Sequence, residues 1–417
     1  MTTQHLGGYT FEGGFPTPET IQKAYNDADL NRAIHAYRYF HPAVAMTAAW
    51  HAKLAAGAVP NRTFVLVDTD PRRLTSTPSS DAPGACALLD LREGPIVVDM
   101  PPGPLMCSID DVYQRHVMDL GVTGPDQGHG GLYLVVPPDY RGAVPGGYHV
   151  GRSSTFRALL LVRAIPPRGD IDAGIEVARH IKLRTLDVAA EPIAMTWLDA
   201  TPHEPVANDT TLEFWRALHD IVDCEPALPE HDDAYRELAV LGIEKGKPFQ
   251  PDRRMTQILE RAAAAGSAQL RVQSFADRRP NRVAWADRQW EWPREIVGAG
   301  ALCWLALHDR GGAYLDGGKL YKLTVRLPVP ASVCWSITVH DPHANEQLGT
   351  LRSRIELADE LAGGSVDLYF GPAAPTSHEA RWIETQPGRG WFAYFRIYGP
   401  KRGAVDGSWR LGDFQIV

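Results

Sequence analysis

The chain has 417 residues, enough for two or three domains around sizeable cores. Hydrophobic residues make up 44% and charged residues 22%, the balance of a soluble globular protein. The formal net charge of -8, with Lys and Arg scattered rather than gathered in a stripe, argues against nucleic acid as a partner.

The five cysteines (Cys86, Cys107, Cys224, Cys303 and Cys334) are far apart and form no CxxC pair, which fits reduced thiols better than a disulfide framework or a zinc site. No stretch approaches the eighteen or so apolar residues of a membrane span. The N-terminal MTTQHLGGYTFEGGFP has no basic region followed by an apolar run, so the expected location is cytoplasmic, with no membrane partner.

Thr17-Pro18-Glu19 is a helix start, a capping hydroxyl followed by proline at the first helical position. Ile21, Ala24, Tyr25 and Ala28 follow at helical spacing. A second helix is expected from about Asn31 to Ala55, kinked or split at Pro42 because proline lacks the N–H of the helical ladder. From Arg62 the pattern changes. Thr63–Val67, Ala85–Leu91, Ile96–Met100, Gly131–Val136, His149–Gly151 and Phe156–Val162 read as short strands separated by Pro/Gly turns, the pattern of an antiparallel sandwich. A helix is expected from Asp170 to about Thr185. Helical spacing returns in 208–276, with a cap at Asp209 or Thr210, a second helix over Asp233–Leu241 stopped by Gly242, and a third over Met255–Ala264.

After Gly298 the strands resume, and the stretch from Leu315 to Asp341 organises them. Tyr321, Leu323, Val325 and Leu327 alternate with Lys322, Thr324 and Arg326. Pro328 and Pro330 end that strand, and a second one follows, as in a hairpin. In it, Val333, Trp335, Ile337 and Val339 share one face, and Cys334, Ser336, Thr338 and His340 the other, a face expected to meet solvent unless it lines a cleft. Val366, Leu368 and Phe370 likewise oppose Ser365, Asp367 and Tyr369. In WFAYFRIY, Phe392, Tyr394, Arg396 and Tyr398 oppose Trp391, Ala393, Phe395 and Ile397.

Five blocks in this region resemble the C-terminal half of a bacterial two-part family, domain of unknown function 1254 followed by domain of unknown function 1214. They are Leu315-Asp316-Gly317 with Tyr321; Trp335-Ser336-Ile337-Thr338 with Asp341; Gly364-Ser365-Val366; Arg396-Ile397-Tyr398-Gly399-Pro400; and Asp406-Gly407-Ser408-Trp409. Leu132 to Tyr140, with Gly142 and Pro145, is similar to the family's first half, as are Arg163 and Asp170. The family's polar motif before the Leu89-Asp90-Leu91 strand is reduced here to Asp81. The resemblance implies a mainly β fold with helical segments. It is divided into N-terminal helices (1–60), an immunoglobulin-like β-sandwich (61–205), a helical bridge (206–297) and a jelly-roll β-sandwich (298–417).

Motifs for cofactors are missing. No G-x-G-x-x-G follows a strand and no G-x-x-x-x-G-K-[ST] occurs, so neither NAD nor ATP is expected, and no other cofactor either. Gly128-His129-Gly130-Gly131 faintly resembles the oxyanion loop of lipases, but there is no G-x-S-x-G elbow. His340 and His343, with His308 or Asp367, could ligate a metal, yet His and Asp at a strand end more often serve turns, and no metal is expected.

What is left is a polar-aromatic set. His340, Asp367 and Tyr398 are the candidate catalytic residues, with Tyr and His to move protons and Asp to orient the imidazole. Arg396, Tyr394, Ser336, Thr338 and Trp335 are the candidate substrate-binding residues, with the guanidinium to anchor a carboxylate. The expected function is a cofactor-independent enzyme (lyase, isomerase or hydrolase) acting on a small organic acid or secondary metabolite. A non-catalytic ligand- or carbohydrate-binding protein and a structural subunit of a homo-oligomer stay open, as does a structural Arg–Asp pair wrapped in aromatics.

Overall fold

A computed structural model describes residues 2–67, 84–165, 171–186, 194–199, 210–275, 285–287, 301–342, 347–352 and 364–417. The chain divides into two compact units. One joins Met1–His51 to Pro205–Asp277, and the other joins Ala52–Glu204 to Arg278–Val417.

The chain opens on a small meander, β1 (Thr3–Leu6), β2 (Tyr9–Glu12) and β3 (Phe15–Pro16), and enters the long helix α1 (Pro18–Ala55). Thr17 caps it, its hydroxyl accepting the Thr20 N–H at 3.2 Å. The expected split at Pro42 does not occur, and α1 runs from Pro18 to Ala55 as one helix that joins the two expected ones. One ladder bond is lost there, but the buried neighbours Phe40, Ala43 and Val44 keep the segment helical.

The second unit begins with a sandwich of ten strands. In order they are β4 (Thr63–Val67), β5 (Gly84–Asp90), β6 (Ile96–Met100), β7 (Leu105–Asp111), β8 (His116–Gly121), β9 (Gly131–Val136), β10 (His149–Arg152), β11 (Arg157–Ala164), β12 (Lys182–Thr185) and β13 (Thr196–Leu198). They form a six-stranded sheet, β13-β4-β5-β11-β7-β8, and a four-stranded sheet, β10-β9-β6-β12. Phe64, Leu89, Ile109 and Leu160 of the first meet Ile96, Val98, Tyr133 and Leu183 of the second in one core. The helix expected over 170–185 is half correct. Helix α2 spans Ile171–Ala178, and Lys182–Thr185 instead pairs with β6. Leu183 is drawn into the core and its neighbours are not, which is the strand period.

Helices α3 (Leu212–Cys224), α4 (Asp232–Val240) and α5 (Arg253–Phe275) return to the first unit. The cap of α3 is Thr211, just beyond the expected Asp209 or Thr210. Phe214 stacks on Tyr37 of α1 at 4.0 Å, and the Trp215 indole N–H donates to the Leu259 carbonyl of α5 at 2.9 Å. Of the aromatic residues on α1, Tyr37, Phe40 and Trp50 are buried and Tyr39 is exposed. Gly242, at φ +81°, takes the left-handed conformation just past α4, where the expected stop lies.

Among the described residues the last nine strands are β14 (Trp285–Asp287), β15 (Ala301–Ala306), β16 (Tyr321–Arg326), β17 (Ala331–His340), β18 (Gln347–Arg352), β19 (Ser365–Gly371), β20 (Trp382–Glu384), β21 (Phe392–Pro400) and β22 (Gln415–Ile416). They make a second two-sheet sandwich, β14-β15-β21-β17-β18 over β20-β19-β16-β22. The expected hairpin between β16 and β17 is absent. β16 pairs with β19 and β22, and β17 with β21 and β18, so the turn at Pro328 carries the chain from one sheet to the other. Prolines in that turn offer no N–H to close a ladder across it. The fold is therefore mainly β with helical segments, as expected.

The signature residues hold this sandwich together. Asp316 takes the Gly318 N–H at 2.9 Å and gives its own N–H to the Tyr321 hydroxyl at 3.1 Å. Trp409 stacks on Trp304 at 5.6 Å and donates its indole N–H to the Arg326 carbonyl at 3.0 Å. Gly317 passes so close to the opposite loop that a Cβ would stand 2.2 Å from the Gln386 carbonyl oxygen. Gly317→Ala should therefore force backbone apart and destabilise the protein by about 1–3 kcal/mol. Equilibrium urea unfolding tests this, and an unchanged midpoint would contradict it.

Candidate functional site

The site is built on β17 and β21, whose register is fixed by their apolar face. Ile337, Val339, Phe395 and Ile397 fill the core of the second sandwich. With a side-chain period of two, the intervening residues must project from the other face. Directly paired positions are Cys334 with Tyr398, Ser336 with Arg396, Thr338 with Tyr394 and His340 with Phe392. Each such pair sits side by side on one face, with Cβ atoms about 5 Å apart. From β15, Cys303 lies beside Arg396 and Leu305 beside Tyr394.

This second face does not meet solvent, contrary to the simplest expectation. Ser336 is 1% and Arg396 7% exposed, and Thr338, His340, Tyr394 and Tyr398 are buried with them. At one end the cover is visible. Tyr398 packs with Met106 and Ile165 of the first sandwich, flanked by Val122, Val333 and Cys334.

Thr338 is the hub of the layer. Its hydroxyl oxygen accepts an N–H from the Arg396 guanidinium at 2.8 Å and lies 2.9 Å from His340 Nε2. A guanidinium can only donate, so the Thr338 hydroxyl keeps its own proton and links guanidinium to imidazole, with the direction of the Thr338–His340 bond set by the imidazole tautomer. Arg396 also lies over the Tyr394 ring, 5.0 Å from its centre. Two aromatic rings clamp the imidazole, Phe392 stacked at 5.2 Å and Tyr394 edge-on at 5.2 Å. Ser336 Oγ, beside Arg396, is buried without a hydrogen-bond partner. The arrangement can hold a small anion at the guanidinium, give it a hydroxyl, and move a proton at the imidazole.

Of the sequence-predicted residues, Ser336, Thr338, His340, Tyr394, Arg396 and Tyr398 come together on this face. Asp367 does not join them. It lies on β19 in the opposite sheet, on the outward face with Lys322 and Thr324, taking the Thr324 hydroxyl at 2.5 Å and lying 3.4 Å from Lys322 Nζ. Alternation alone could not say to which sheet that strand belongs. Trp335 is also displaced from the predicted set. It faces the core side, stacked on Phe395 at 5.2 Å. Phe392 and Cys303 were not among the predicted site residues. Phe392 was legible as a same-face neighbour of Tyr394, whereas Cys303 arrives by strand pairing across about ninety positions of sequence.

At the strand end Asp341 is buried and takes an N–H from Arg389 at 2.7 Å, a structural clasp. His343 lies outside the described residues. Among the described residues, no three His, Cys, Asp or Glu side chains gather as metal ligands. No described helix is long and apolar enough to cross a membrane.

A family model described as Protein of unknown function (DUF1254) matches residues 61–185, and one described as Protein of unknown function (DUF1214) matches residues 300–402. No curated protein matches the chain. A solved protein from Vibrio parahaemolyticus is similar with a TM-score of 0.61 at 15% identity, covering 93% of this chain and 100% of its own. An uncharacterised protein from Burkholderia cenocepacia gives a TM-score of 0.45 at 15% identity, covering 95% of this chain and 96% of its own. The Vibrio likeness shows a shared fold.

Proposed function

The chain belongs to the two-part family in which a DUF1254 domain precedes a DUF1214 domain, and for this member we propose cofactor-independent acid–base catalysis on a small carboxylate-bearing organic acid. Arg396 anchors the carboxylate, Ser336 donates to it, and His340, polarised through Thr338, moves the proton. Tyr394 and Phe392 wall the imidazole on two sides. Lyase, isomerase and hydrolase chemistry all need no more than this.

Ser336 Oγ carries the reading. It is buried, lacks a hydrogen-bond partner, and is paired directly with Arg396. An unsatisfied buried hydroxyl costs roughly 1–3 kcal/mol, a penalty that a bound carboxylate oxygen would remove.

Thermal denaturation against a panel of small mono- and dicarboxylates tests it. At least one carboxylate should raise the Tm of the wild-type protein while its neutral amide does not. Ser336→Ala should stabilise the ligand-free protein by about 1 kcal/mol and shrink the carboxylate shift. A panel without any shift, or an equal shift in Ser336→Ala, would contradict the assignment.

A further inference from the structure

The first sandwich contains a second polar cluster, distinct from the layer around Arg396. β7 and β8 form the edge hairpin of the six-stranded sheet. Ser108 pairs with Asp119 and, after an irregularity between Ile109 and Asp110, Asp110 pairs with His116. Ile109 points into the core, so these four side chains share the opposite face. His116 lies between two carboxylates. Its Nδ1 is 3.7 Å from Asp110 Oδ1 and its Nε2 is 3.6 Å from Asp119 Oδ2. The Ser108 hydroxyl donates to Asp110 Oδ2 at 3.4 Å. Asp110 is fully buried, and neither its Oδ1 nor His116 Nδ1 has a hydrogen-bond partner.

The opposite end of the same hairpin seats Tyr398. Met106 of β7 and Val122, just past β8, pack with Tyr398, which shares its face with Arg396. We propose that Asp110, His116 and Asp119 form a proton-operated clasp on the edge hairpin, closed by an imidazolium between two carboxyls, whose opening loosens the seat of Tyr398.

The neighbouring groups do not substitute for the proton. On β11, Leu159 and Leu161 stand beside Asp110 and Ser108, with Arg157 and Arg163 farther along that row. Asp111 is taken up by Arg115 and the Ser154 hydroxyl, and Asp126 by the Tyr133 hydroxyl and the Gly130 N–H. On β10, Gly151 lies against Met118 and Val117, and His149 packs on Tyr133.

Burial pushes the Asp110 carboxyl up to about 7, opposed by His116 and assisted by Asp111 and Asp119. Burial likewise pushes Asp119 up to about 6, opposed by His116. Burial by itself would depress the His116 imidazole, but the two carboxylates outweigh it and raise the value. All three shifts are upward, so the folded hairpin holds protons that the unfolded chain releases. The carboxyl contributions decline as pH climbs from the ordinary carboxylate range, about 4, through 6 and 7. The imidazole contribution is complete below its ordinary value of about 6.5 and is lost as pH rises through the raised one. The clasp is therefore tighter in mild acid than above neutrality and opens as pH rises through 6 and 7.

Hydrogen exchange of the full chain at about pH 6 and about pH 8, corrected for intrinsic rates, tests this without any ligand and so independently of the proposed reaction. Peptides covering 106–121 and 396–400 should exchange at least about tenfold faster at the higher pH. Asp110→Asn should abolish that ratio in both. If that variant fails to fold, His116→Gln provides the comparison, with fast exchange at both pH values. A wild-type ratio near one, a variant that keeps the wild-type ratio, or a response confined to 106–121 would each overturn the proposal.

Discussion

Arg396→Ala should retain the fold and weaken carboxylate binding by about 2–5 kcal/mol, at least about thirtyfold in Kd. Arg396 is 7% exposed, so its charge acts on a ligand with little screening by water. Its removal leaves the rest of the layer in place, because Thr338 keeps its contact with His340 and Tyr394 still packs edge-on against the imidazole. The losses include the hydrogen bond to Thr338 and the contact with the Tyr394 ring. Arg396→Lys is the informative companion. It keeps the positive charge but loses the planar fork, and should recover only part of the affinity. Calorimetric titration with the best carboxylate of the panel, alongside circular dichroism, separates the outcomes. A variant that no longer folds makes Arg396 a structural residue, and one that binds as well as wild type removes it from the site.

Phe395→Ala should cost about 3–5 kcal/mol, the largest loss expected from any single change discussed for this chain. Phe395 is fully buried and lies among three tryptophans, with ring centres 5.2 Å from Trp335, 5.9 Å from Trp409 and 6.1 Å from Trp304. Three large rigid rings cannot close over the void left by a phenyl group, so the cavity term persists in full. Urea unfolding should show a lower midpoint with an unchanged slope. A loss below about 1 kcal/mol would mean that the sandwich core is looser than the packing described above.

These two residues also mark what the sequence made legible. Phe395 and Arg396 are adjacent, and the strand period alone sends one to the core and the other to the polar layer. Alternation along β17 and β21 is clear because each carries several residues of each kind in a row, and it placed the members of both faces except Val333, which packs beside Tyr398 where the register of β17 shifts. Strand partnership was not legible. β16 and β17 are separated by only four residues and still belong to different sheets, since the prolines between them deny the ladder its closing bonds. The same limit misplaced Asp367, whose orientation on its strand was right and whose sheet was not.

β7 and β8 went unrecognised for a different reason. Leu105-Met106-Cys107-Ser108-Ile109-Asp110-Asp111 is buried on both faces apart from a half-buried Ser108, so polar and apolar residues do not separate by exposure. The irregularity after Ile109 also shifts the phase midway. The carboxyls and imidazole of the clasp are therefore scattered in sequence pattern and assembled by register.

A crystal structure of the protein grown with the best-binding small carboxylate tests the central assignment most directly. The account predicts the ligand carboxylate on the Arg396 guanidinium, with Ser336 Oγ donating to one of its oxygens and His340 facing the remainder of the molecule. Ser336 Oγ bonded to a protein group instead, with the carboxylate bound elsewhere on the chain, would contradict it.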